Sequence, residues 1–305
     1  MRILDYLFVL RPTLYFAVWT VFLCGVRAAR VFGEARIHGG AERFWLLAAA
    51  ASFTMGSVFI VNQLKDVATD LANDKLYLIA RNEIPARCAA IEAGILLAAG
   101  LACAAAAGIA ALVLCLALFG IGGLAYSYEP LLWKNRPFLG LWVNAAGAFL
   151  IFGLGWIALS PFRLPLFRFG LPYVLAVAGV YLLTTIPDEP GDRQAGKVTF
   201  VVRYGCRATT LGAMIAVAAA LVGGGVNRDP IIGIPALGAL PLFALAAARR
   251  ELRDVLRAVK FGIFLQALTV CAVFPAYLLL LAVVFFGSKL YYRRRFGVDY
   301  PSFQT

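Results

Sequence analysis

A chain of 305 residues that is 62% hydrophobic and only 14% charged falls far below the roughly 25% charge of an ordinary soluble domain. Too few polar groups remain to cover a water-soluble core of this size, which excludes a soluble globular protein. The formal net charge of +12 would point to nucleic acid in a soluble chain; here the basic residues fall between apolar runs, where cytoplasmic loops collect them, so no nucleic-acid partner is expected.

The N-terminal segment Met1–Phe8 is interrupted by Asp5 and followed by Arg11-Pro12. It lacks the unbroken core and cleavage site of a signal peptide and is expected to stay on the mature protein. A bilayer core about 30 Å thick takes about 20 apolar residues per helix. Nine stretches fit: 12–32, 44–64, 88–106, 108–128, 138–160, 171–187, 207–225, 231–248 and 262–286. The run 88–128 is almost continuously apolar and is divided at Ala107-Gly108 by length. Long unbroken runs, rather than alternation in short segments, exclude a closed barrel. The expected fold is therefore all-α: one membrane-embedded domain over 1–305, a polytopic bundle of about nine transmembrane helices. Recurrent small residues such as Ala48–Ala51 and Ala218–Ala220 allow close backbone approach between helices.

With nine spans the termini fall on opposite faces. Placing the N-terminus inside gathers most loop Lys and Arg on the inner face, yet leaves Lys289, Arg293, Arg294 and Arg295 outside, against the usual bias. His38 is the single histidine and sits in a polar stretch, and the six cysteines lie mostly in apolar runs without a CxxC pair. Carboxylates, amides, Lys, Arg and Tyr are left to carry chemistry.

Three polar stretches stand out. At the end of the second span Asn62, Asp66 and Asp70 recur every fourth residue, so on a helix they lie along one face and direct oxygens to one side. The bland reading is a polar loop with solvated acids beyond the headgroups. After the sixth span Asp188 and Asp192 repeat the separation of Asp66 and Asp70, followed by Arg193 and Lys197. Two acidic clusters that each follow an even-numbered span emerge on the same face and can oppose each other across one polar cavity. Mg2+ binds through a few carboxylates, keeps waters and takes further ligands from phosphate, so two such clusters suit a diphosphate. Arg193 and Lys197 are placed to neutralise the remaining phosphate charge. After the fourth span come Tyr126, Ser127, Pro130 and Lys134 on the same face. Lys134 can meet a phosphate, and Tyr126 and Ser127 can donate hydrogen bonds; an aromatic belt with a snorkelling lysine would use the same letters.

Asn62-xxx-Asp66-xxx-Asp70, Tyr126-Ser127…Pro130…Lys134 and Asp188-xx-Gly191-Asp192-Arg193-x-Ala195-Gly196-Lys197-x-Thr199 resemble, in order, the three signatures of the UbiA superfamily of intramembrane prenyltransferases. The resemblance implies that the two Asp-rich motifs hold Mg2+ and the diphosphate of an isoprenoid donor, that the lysine contacts the diphosphate, and that a prenyl group passes to an aromatic or other lipophilic acceptor within the membrane. On this basis Asn62, Asp66 and Asp70 take one metal ion and Asp188 and Asp192 a second. Lys134, Arg193 and Lys197, assisted by Tyr126 and Ser127, take the phosphates. The expected setting is the cytoplasmic membrane, with the site facing the cytoplasm and the donor's tail toward lipid. Two departures from the family pattern are Gln63, where Asp is common, and Arg81–Arg87, which keeps only Ile84-Pro85 of a longer turn. An ion-coupled transporter is the main rival, though its acids are expected near the midplane. A non-catalytic chain with the same fold is another. Alanine at Asp66 or Asp188 is expected to stop turnover with folding intact.

Overall fold

A computed structural model describes residues 2–34, 40–72 and 78–301, which are helical throughout with no strand among them. His38, and Asp74 beyond the first acidic motif, lie outside the described residues. Nine of the described helices are long and apolar enough to cross a membrane. The first combines α1 (Arg2–Phe8) and α2 (Tyr15–Phe32), joined through a single turn of 3-10 helix at Pro12–Leu14. Then come α3 (Ala41–Lys65), a short α4 (Val67–Ala72) and α5 (Ala86–Ala107). The expected break at Ala107-Gly108 is real: Gly108 has φ +119, open to a residue without Cβ, and it separates α5 from α6 (Ile109–Phe119). Among the described residues α6 is an apolar helix shorter than the nine, and a π-helical stretch at Gly120–Ala125 prolongs it.

The helices α7 (Pro137–Trp156), α8 (Leu164–Thr184), the short α9 (Glu189–Gln194), α10 (Phe200–Val226) and α11 (Pro230–Arg249) follow. α10 begins seven residues before the span drawn from hydropathy at 207–225: its first turn carries Arg203 and is set off from the rest by a kink at Gly205, φ 79 and ψ 167. The last expected span, 262–286, straddles a break. Phe274 precedes Pro275, which disfavours α-helical φ/ψ; it adopts φ −125, ψ 78 and divides α12 (Leu252–Val273) from α13 (Pro275–Phe296). α13 runs back along the first span. The Tyr277 hydroxyl donates to the Phe16 carbonyl at 3.0 Å, and fourteen residues later the Tyr291 hydroxyl donates to Asp5 at 2.6 Å. Arg295 then bridges Asp5 and Glu83. Both described chain ends, and the basic group Lys289, Arg293, Arg294 and Arg295, therefore lie at the same end of the bundle.

Small residues set the closest helix contacts, as lipid supplies no hydrophobic drive between spans. A Cβ on Gly25 would run into the Phe152 carbonyl and one on Gly155 into the Phe22 carbonyl, so α2 and α7 touch backbone to backbone. At the end opposite to Asp5, Asp229 caps α11 through the Ile231 amide at 3.1 Å and receives Arg27 and the Tyr173 hydroxyl. That network pairs the buried Asp229 carboxylate with Arg27.

Candidate active site

The first acidic motif is built where α3 stops. Asp66 ends α3 with φ −104, ψ 9, so the chain turns there before resuming as α4. The i to i−4 hydrogen bonds nevertheless continue across the turn, Asp66 N to Asn62 O at 3.0 Å and Asp70 N to Asp66 O at 2.8 Å. Asn62, Asp66 and Asp70 consequently keep the common face that their spacing predicts. The second motif repeats the device: Asp188 precedes α9, and Asp192 N bonds to Asp188 O at 2.9 Å. Gly196, at φ +69, then closes the helix with Lys197 N on Asp192 O at 2.8 Å. This left-handed cap reverses the chain and turns Lys197 inward. The two short helices α4 and α9 pack against each other, so the motifs face one another.

Between them lies a cavity of about 540 Å³, lined by Asn62, Asp66, Asp70, Tyr126, Lys134, Asp188, Asp192 and Lys197, among others. Its deeper wall is apolar, with Val18, Met55, Leu118, Val143, Ile151 and Val177. Asp70 and Asp192 are buried, and Asp188 is half-buried. The centre of charge is Asp66 Oδ1, which accepts from Lys134 Nζ at 2.8 Å and from Lys197 Nζ at 2.6 Å. Burial is the largest influence on the Asp66 carboxyl and acts to raise its pKa; the two ammonium groups outweigh it and hold the group below the ordinary carboxylate value.

Two expected residues stand elsewhere. Arg193 lies outside the cavity lining, 56% exposed and paired with Glu189 one turn earlier along α9 at 2.8 Å. Ser127 is buried behind the wall, its hydroxyl without a partner among the described residues. Polar cavity residues to which the motifs assigned no role include Arg11, Asn144, Tyr181 and Thr199. Asn144 is the only amide in the span 138–160, which was the available signal for it. It donates to Gly140 O at 2.9 Å and reaches the Tyr126 hydroxyl, which also contacts Tyr181.

A UbiA prenyltransferase family model matches residues 17–268. The chain belongs to the UbiA prenyltransferase family. Among solved structures it is similar to a UbiA homolog from Archaeoglobus fulgidus bound to GPP and Mg2+, with TM-score 0.71, 23% identity and coverage of 91% of this chain and 99% of the other. A digeranylgeranylglyceryl phosphate synthase is similar with TM-score 0.65 and 17% identity over 89% and 98%. A UbiA homolog from Aeropyrum pernix K1 follows with TM-score 0.66 and 18% identity over 84% and 95%. At these identities the likeness is one of fold. No curated protein matches the chain.

The donor set of this UbiA-family cavity fits Mg2+. Among the described residues no three Asp, Glu, His or Cys side chains converge as a preformed cage; the acids come as spaced groups on opposite walls, as suits an ion that takes one or two carboxylates and fills the rest with water and phosphate. Thr199 lines the same space with a buried hydroxyl that has no partner among the described residues, a polar group that a bound ligand would satisfy.

Proposed function

We propose that the chain, as one unit over 1–305, transfers the prenyl group of an isoprenoid diphosphate to a lipophilic acceptor, aromatic or otherwise, in a Mg2+-dependent reaction. The observation that carries this reading is the division of one cavity into a charged mouth, with Asp-bearing α4 and α9 facing each other around Lys134 and Lys197, and an apolar interior. Asn62, Asp66 and Asp70 would hold metal on one wall and Asp188 and Asp192 on the other. Bound Mg2+ supplies positive charge to the diphosphate oxygens as the donor ionises.

The protein's own groups do the rest. Lys134 and Lys197 rest on Asp66 without a ligand and exchange that carboxylate for phosphate oxygens when the donor enters. Arg11 adds a third cation at the same mouth. They stabilise charge that grows as the allylic C–O bond breaks and its electron pair leaves on the diphosphate. The apolar interior holds the chain of the donor and keeps water from the carbocation until the acceptor's electron pair forms the new bond and its proton is released to solvent. Tyr126 and Tyr181 line the same cavity, and their hydroxyls contact each other.

The same reading puts the cavity mouth on the cytoplasmic side of the cytoplasmic membrane. With Lys289 and Arg293–Arg295 at the mouth end, the described Lys and Arg at the other end are Arg27, Arg30, Arg43, Arg163, Arg168 and Arg228, and the basic excess lies inside.

The test is product analysis. Purified full chain in lipid nanodiscs is offered polyprenyl diphosphates of several lengths with phenolic, naphthoate, tetrapyrrole and lipid-alcohol acceptors, and products are identified by mass spectrometry. A prenylated acceptor with stoichiometric pyrophosphate, lost on chelation and restored by Mg2+, is the expected result. Metal-independent ion flux without pyrophosphate release would establish the transporter reading instead.

A further inference from the structure

We infer that Gln63 is a positioning residue that sets Arg11 against the donor's diphosphate. The inference rests on the diphosphate reading of the cavity. Gln63 lies in the last turn of α3, 2% exposed, beside the metal-binding candidates Asn62 and Asp66. By sequence it is the obvious extra ligand, standing where Asp is common in the family. Its Nε2 donates to Val9 O at 2.8 Å and to Phe59 O at 3.1 Å, so both amide protons hold backbone carbonyls.

Val9 is two residues before Arg11, whose backbone is left-handed, φ 55 and ψ 64. That conformation is disfavoured for a residue with a Cβ and persists where the surroundings fix it. Here they do. Pro12 removes the right-handed helical alternative for the residue before it, and Arg11 N to Phe8 O at 3.0 Å and Leu14 N to Arg11 O at 2.8 Å close the turn on either side. From outside, Phe8 stacks on Tyr291 with ring centroids 3.6 Å apart. From inside, Gln63 ties the Val9 carbonyl to the helix that carries Asn62 and Asp66. The result is an arginine that lines the cavity from a segment that no motif marks.

A carboxylate cannot replace this amide. Glutamate of the same length would place an oxygen where Nε2 now sits, against the Val9 carbonyl oxygen, and supply no proton.

The decisive experiment is a double-substitution cycle on the full chain in nanodiscs, comparing Gln63→Glu, Arg11→Ala and the pair. Three readouts are taken: donor KM and kcat, binding of inorganic pyrophosphate with Mg2+ by calorimetry, and Mn2+ binding without donor by electron paramagnetic resonance. Each single substitution is expected to raise donor KM and weaken pyrophosphate binding about tenfold, the order of one charge-assisted hydrogen bond, and the pair is expected to be no worse than Arg11→Ala alone. Mn2+ binding stays unchanged in Gln63→Glu. Tighter Mn2+ binding with unchanged pyrophosphate affinity would make Gln63 a metal-site residue and overturn the inference, as would effects of the two substitutions that multiply. If Gln63→Glu does not fold, Gln63→Asn, which withdraws the amide by one methylene, carries the same expectations. Pyrophosphate binding that responds in this way while no acceptor is ever prenylated would refute the transferase reading and leave the positioning role standing.

Discussion

Asp66 carries a structural burden that its spacing with Asn62 and Asp70 does not reveal. Its carboxylate, 14% exposed, is the partner of two ammonium groups, Lys134 at 7% and Lys197 at 14% exposure. Asp66→Ala removes a candidate metal ligand, but it also strands both lysines in a mostly buried site, and breaking a buried ion pair by deleting one member costs about 3–5 kcal/mol. Stability is therefore expected to fall along with turnover, a cost that the spacing of the motif does not signal. At about 2 °C per kcal/mol for a chain of this size, the melting temperature should fall by about 6–10 °C. A thiol-reactive fluorogenic dye reads this directly, since Cys24, Cys115 and Cys271 are buried and become reactive on unfolding. Asp66→Asn with Lys134→Met, which deletes one of the stranded charges, should recover part of the loss. The pH dependence has a definite sign. Because the Asp66 carboxyl is held below its ordinary value, its contribution is fully present above the unfolded carboxylate pKa of about 3.9 and is lost as pH falls through the lower folded value. The gap between wild type and Asp66→Ala should be constant from neutral pH to about pH 5 and close only in stronger acid. Equal melting temperatures at neutral pH would refute the idea that Asp66 neutralises the two lysines.

Lys134→Ala should raise donor KM or slow ionisation by about a hundredfold, the scale of a lost charge-assisted contact of roughly 3 kcal/mol, with Lys134→Arg retaining part of the activity; steady-state kinetics checks both. Arg193→Ala should leave kcat/KM within about twofold of wild type in the same assay, since its guanidinium pairs with Glu189 at 2.8 Å outside the cavity and exposed i,i+4 pairs contribute little. In inside-out vesicles, membrane-impermeant maleimide should label single cysteines placed at Ala195 and Val298 alike and miss one at Gly40. Labelling of Val298 and Ala195 from opposite sides would contradict the return of α13. Gly155→Ala should lower the melting temperature by about 2–6 °C at about 2 °C per kcal/mol, because the added Cβ meets the Phe22 carbonyl, a backbone atom that cannot rotate away, and overpacking of this kind costs about 1–3 kcal/mol.

Much of this protein is legible in one dimension. Apolar run length reports the demand of a bilayer on each helix, so the all-α membrane fold and most of its spans could be read from composition alone. Gly108 was placed by length and turned out to occupy φ +119. The i,i+4 spacing of Asn62, Asp66 and Asp70, and of Asp188 and Asp192, survives because local hydrogen bonds carry helical register through the end of α3 and into α9. Other features depend on partners far apart in the chain, which spacing cannot encode. The break at Phe274-Pro275 reverses the last helix, and only the contacts of Tyr277 with Phe16 and of Tyr291 with Asp5 show that it does. Arg193 and Lys197 look equivalent in sequence, yet one turns out to Glu189 and the other in to Asp66, because Gly196 reverses the chain between them. Arg11 and Gln63 are unremarkable letters until the fold brings the Val9 carbonyl within 2.8 Å of an amide fifty-four residues on. The sequence by itself determined which solvent each segment prefers and which acids share a helical face, because hydropathy and helical register are local; the direction each charged side chain takes was decided by tertiary packing, which alone brings distant donors and acceptors together.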